Sequence, residues 1–130
     1  MKYYTILFAL SIFTLTSCNE QEITGDYDVI MVGENDYSEH DITLTIKMGK
    51  ENLVSGRSAC NKYSGTFEIL ENSKVKIGPL MSTKMYCVDV AQVENDYIKH
   101  LSMVTQVIPT KKGLELLNDK GLIIITAVKK

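Results

Sequence analysis

The chain has 130 residues, enough for one domain with a sizeable core. Apolar residues make up 45% and charged residues 23%, a balance that excludes a disordered chain. A net charge of −2 with no basic stripe excludes nucleic-acid binding as the main task.

The first residues, Met1-Lys2-Tyr3-Tyr4, carry one positive side chain, and an apolar run from Thr5 to Leu15 follows. That is the layout of a secretory leader. It is too short for a spanning helix, which needs about 20 apolar residues. Leu15-Thr16-Ser17-Cys18 resembles the bacterial lipobox, a branched apolar residue and two small ones before a cysteine. An ordinary leader peptidase is badly served by bulky Leu15 three positions before the cut. The reading is therefore a signal peptide at 1–17, a diacylglyceryl group on Cys18, and a tether over 18–23. Two or more acyl chains give stable anchoring, whereas one is marginal. Asn19 is not the aspartate associated with inner-membrane retention, which favours the outer membrane.

Past the tether the pattern has period two. Tyr27, Val29 and Met31 alternate with Asp28 and Ile30, predicting a first strand. Ile42, Leu44 and Ile46 alternate with Thr43, Thr45 and Lys47 in the clearest half-buried strand. Met48 to Asn52 reads as a turn and Leu53 to Arg57 as the returning strand. Tyr63, Gly65, Phe67 and Ile69 share one face of the next strand. Glu71-Asn72-Ser73 turns the chain into Val75 and Ile77, and Gly78-Pro79 stops it.

The period then changes. Val90, Val93, Tyr97 and Leu101 recur at three and four residues, with Ile98 beside them, predicting an amphipathic helix of about three turns. Asp89 and Gln92 have capping-box spacing, and Glu94 and Asp96 are assigned to the solvent side. Val104, Gln106 and Ile108 predict a strand ended by Pro109. Two further strands, Leu114 to Leu117 and Leu122 to Val128, flank the turn Asn118 to Gly121. The expected fold is α+β: one domain over 24–130, a curved antiparallel sheet of about eight strands and one main helix.

With Cys18 assigned to lipid, Cys60 and Cys87 remain, and two cysteines in an exported chain read as a disulfide. Closing that loop contributes about 3–4 kcal/mol. A redox site would want C-x-x-C, and structural zinc four clustered ligands, whereas His40 and His100 stand alone.

The surroundings of both cysteines carry a family signature. Val54-Ser55-Gly56, then Cys60-Asn61-Lys62-Tyr63-Ser64-Gly65, followed by an alternating strand, resembles the first block of the META domain (HslJ-like) family. Thr83-Lys84-Met85-Tyr86-Cys87 resembles its second block, and the match covers roughly residues 24–128. The family opens with a tryptophan. This chain has none, and Tyr27 stands in its place. Gly56 and Gly65 read as points of strand bending or close backbone approach. Asn61 is of the type that tolerates left-handed backbone and bonds its own turn. Met85 is expected to fill the core beside the disulfide, Thr83 to bond backbone in the same loop, and Ser64 to belong to the structural motif.

No nucleophile elbow, phosphate loop, zinc-protease motif or calcium loop is present. The resemblance implies a non-catalytic envelope lipoprotein without cofactor or metal. Its role would lie in envelope stress or drug tolerance, with motility or secretion for some relatives. Its partners would be the membrane through lipid and an envelope protein or small ligand. Two alternatives stay open. One is a metal-handling or redox lipoprotein using Cys60, Cys87 and the methionines, because Met81, Met85 and Cys87 are soft ligands suited to Cu(I). The other is an inhibitor-like or receptor-like module presenting loops from a rigid sheet.

Overall fold

The computed structural model describes residues 23–130. The leader at 1–17, the lipidation site Cys18 and tether residues 19–22 lie outside the described residues. Ile23, placed in the tether by the sequence, packs against the core and accepts a hydrogen bond from the Tyr27 hydroxyl at 2.9 Å.

Ten strands and one helix follow: β1 (Gly25–Val32), β2 (Asn35–Asp36), β3 (Thr43–Lys47), β4 (Leu53–Arg57), β5 (Lys62–Ile69), β6 (Val75–Ile77), β7 (Met81–Ser82), α1 (Ala91–Ser102), β8 (Gln106–Pro109), β9 (Gly113–Leu117) and β10 (Ile123–Lys129). Eight of the strands form one antiparallel path in the order β6-β5-β4-β3-β1-β10-β9-β8. The two-residue strands β2 and β7 are side branches on β1 and β5. The ends of the path approach each other. Val75 N–H donates to the Thr105 carbonyl at 2.9 Å, and Val107 N–H to that of Ser73 at 3.3 Å. The sheet is therefore nearly closed, and its outer strands leave little free edge.

Alternation explains most of the core. Leu44 and Ile46 on β3, and Tyr63 and Phe67 on β5, point inward while their neighbours face water. Where alternation fails, a bulge is the cause. The β1–β10 register shifts between Val29 and Met31, so Val32 and not Met31 is buried. A second shift between Ile123 and Ile125 lets consecutive Ile124 and Ile125 both face the core. On β8 the expected phase is reversed: Val107 points in, and Gln106 and Ile108 flank it.

The helix sends Tyr97 and Leu101 into the barrel. Its N-cap is Val90, with no side-chain cap, so the expected Asp89–Gln92 capping box does not form. Leu101 meets Leu44, Val54, Phe67 and Leu116 around an apolar cavity of about 20 Å3, close to the room one water needs. Among the described residues this part of the interior is thus filled by side chains.

Gly56 and Gly65 mark close approaches, as expected. A Cβ on Gly56 would collide with the Thr43 carbonyl oxygen, and one on Gly65 would stand 2.8 Å from Leu80 Cδ2. Gly56→Ala is expected to lower stability by about 3 kcal/mol, read from the urea midpoint.

The Tyr63 hydroxyl donates to the Thr43 carbonyl at 2.7 Å and also bonds the Tyr97 hydroxyl. Burial pushes both phenols well above their ordinary value of 10.0. Near that pH the unfolded chain ionises its tyrosines while the folded chain keeps these two neutral, so the unfolded state binds fewer protons. The urea midpoint is therefore expected to hold steady to about pH 9 and to fall above about pH 10, with a shallower fall in Tyr97→Phe.

Candidate functional site

The family-signature residues meet at one corner. After β4 the chain turns through Ala59, whose φ of 77° is left-handed. Ser58, fully buried, donates from its N–H (2.8 Å) and hydroxyl (3.1 Å) to the Asn61 carbonyl. The left-handed residue is thus Ala59 and not Asn61. Asn61 instead sends its side chain out of the turn, because its backbone is already held by Ser58.

The Asn61 amide uses every bonding position it has. Its Nδ2 donates to the Met85 carbonyl at 3.0 Å and to both Glu94 carboxylate oxygens at 2.8 and 3.1 Å. Its Oδ1 accepts from Met85 N–H at 2.7 Å and from the Thr83 hydroxyl at 2.9 Å. Thr83 in turn accepts from Lys62 N–H at 3.1 Å and donates its own N–H to the Lys62 carbonyl at 2.9 Å. Beside this network Cys60 and Cys87 form a disulfide, with Cα atoms 6.1 Å apart, inside the ordinary range. Both cysteines are oxidised, so neither offers the thiolate that a soft-metal site would need.

The sequence puts Glu94 on the solvent face of the helix. It is only 9% exposed, and its carboxylate lies on Asn61. A signal was present: positions 94, 97 and 101 share the helical stripe, but an acidic letter there reads as solvation. Met85 also departs from expectation. Its backbone is clamped by Asn61 while its side chain is 60% exposed, because the peptide group, and not the thioether, faces the corner. Ser64 is exposed and takes part in strand pairing, opposite Ser55 and Met81 in the ladders.

The consequence is a loop fixed at its base and bare at its tip. Met81 is 72% exposed, Tyr86 82% and Val88 73%. Apolar side chains crowded into one exposed segment commonly mark a contact surface.

A second surface lies where the β1–β2 connection meets the helix. Asp96 accepts from the Tyr37 hydroxyl at 2.8 Å and Asn35 Nδ2 at 3.3 Å, and His100 Nδ1 lies 3.1 Å away. The open groove there, about 300 Å3, is lined by Asn35, Tyr37, Gln92, Asn95, Asp96 and Lys99. Among the described residues no three His, Cys, Asp or Glu side chains are grouped to hold a metal ion.

Asn61→Ala removes the only side-chain donor to the buried Glu94 carboxylate among the described residues and frees the Met85 backbone. It is expected to cost about 2–3 kcal/mol and to raise amide exchange at Met85, both measurable on the same sample.

The fold recurs in solved structures. An NMR structure of a protein from Burkholderia xenovorans superposes with a TM-score of 0.64 at 20% identity, covering 100% of this chain and 99% of that one. A second NMR structure gives 0.58 at 24% identity, covering 85% and 92%. No curated protein matches this chain. The META domain model matches residues 13–130 and takes in both cysteine blocks and the Asn61 corner. On that match the chain belongs to the META domain family.

Proposed function

We propose that this chain is an exported envelope lipoprotein, anchored by lipid on Cys18, whose META domain acts by binding and performs no catalysis. The observation that supports export is the Cys60–Cys87 disulfide, since such bonds persist in oxidising compartments. The filled barrel supports binding at the surface over enclosure of a ligand. A role in envelope stress or drug tolerance then follows from contact with a partner at the envelope, through groups the disulfide holds in place.

Growth with radiolabelled palmitate is expected to mark the native protein and to leave Cys18→Ser unmarked and released from membranes. Thiol counting on unreduced material is expected to find no free thiol. An unlabelled native protein, or two reduced cysteines in freshly isolated envelopes, would overturn the reading.

A further inference from the structure

The loop from Met81 to Val88 combines apolar exposure with one sign of charge. Between Met81 (72% exposed) and Val88 (73%) stand Lys84, Met85 and Tyr86, the last 82% exposed. Lys62 lies beside Thr83, its N–H donating to the Thr83 hydroxyl and its carbonyl accepting from the Thr83 N–H, and the β4–β5 register sets Arg57 directly opposite Lys62. Like charges facing across a ladder are destabilising, so strand pairing alone gives no reason for this arrangement. None of the three cations makes an ion pair among the described residues. Among the described residues no acid forms an ion pair with them: Glu94 is buried on Asn61, and Asp89, which follows the loop, is exposed.

We propose that this loop docks on an anionic lipid surface, with Met81, Met85, Tyr86 and Val88 seated at headgroup level and Arg57, Lys62 and Lys84 on lipid phosphates. Amphipathic aromatic side chains prefer that depth, and each basic group near an anionic surface strengthens partitioning about fivefold. Proximity rests on the lipoprotein reading. From Cys18 to Ile23 the chain reaches at most about 18 Å. That is less than the diameter of a domain this size, whose radius of gyration is about 13 Å, so a bilayer holding the anchor lies against the domain. Because the tether joins at the Gly25–Ile46 end and the loop leaves from the Arg57–Lys62 end, docking lays the barrel along the bilayer. The braced base matters for the same reason. An ordered loop loses little further entropy on contact.

The chain has no tryptophan, so Tyr86→Trp installs the sole indole at a site that is 82% exposed. The full protein carrying it, isolated from envelopes in detergent, is reconstituted into phosphatidylcholine vesicles with and without phosphatidylglycerol. Flotation reads the anchor, and indole emission reads the loop. Blue-shifted emission, quenched by brominated acyl chains, is expected only with phosphatidylglycerol. It is expected to revert with added salt or in Tyr86→Trp combined with Lys84→Glu.

Floated protein whose indole stays in water would overturn the inference while leaving the anchor standing. An equal shift on zwitterionic vesicles would also overturn it, as would a shift that needs an added acidic envelope protein. If Cys18→Ser floats like the native chain on phosphatidylcholine vesicles, where the loop does not dock, the anchor reading fails, and the loop is still judged by its emission.

Discussion

Two adjacent residues, Cys60 and Asn61, tie the segment after β7 to the start of β5, and the exposed loop depends on that tie. The disulfide sets its far limit at Cys87, and the Asn61 amide fixes Thr83 and the Met85 backbone between. Neither bond buries the loop. The apolar side chains of Met81, Met85, Tyr86 and Val88 remain in water while the backbone beneath them is held. A segment with so little buried area would otherwise be drawn from the low-stability end of the molecule. The same tie reaches the helix, because Asn61 also donates to Glu94.

The barrel beneath is organised by close approaches and by bulges. Gly56 lets the Thr43 carbonyl come near enough to receive the Tyr63 hydroxyl, and Tyr63 in turn bonds Tyr97 of the helix. A buried phenol pair with its hydroxyls satisfied costs little, whereas Tyr97 without Tyr63 would leave its hydroxyl without that partner. The bulges in β1 and β10 increase local twist, and β1 and β10 lie side by side in the strand order. Curvature gained there brings the β6 and β8 ends of the path within hydrogen-bonding distance. A sheet this nearly closed fills its interior with side chains and leaves chemistry to the rim and loops.

Loop, corner and helix therefore form a single mechanical unit on an otherwise ordinary barrel. Its polar members are spent on each other: the Asn61 amide is saturated, and Glu94 and Thr83 are bonded to it. What remains free for an outside partner is the set of side chains the unit pushes outward. The family signature reads in these terms as a device for presenting a loop. Cysteine, asparagine and threonine brace it, and the glycines let neighbouring backbone come close.

By itself the sequence determined where the eight main strands lie along the chain, the position of the helix, the turns and the pairing of Cys60 with Cys87. These depend on local periodicity, turn chemistry and a count of sulfurs. It also marked Gly56, Gly65, Asn61 and Thr83 as a set, through their resemblance to a family pattern. Only the tertiary structure decided which way Met85 faces and that Glu94 is inside. An apolar letter and an acidic letter predict burial and exposure on average, but the partner that reverses each is Asn61, 24 and 33 residues away. The phases of β1 and β8 were likewise decided by pairing: a bulge in β1 shifts the side chains beyond it to the other face, and the register with β9 turns Val107 of β8 inward. Periodicity reads one strand at a time, while register belongs to two.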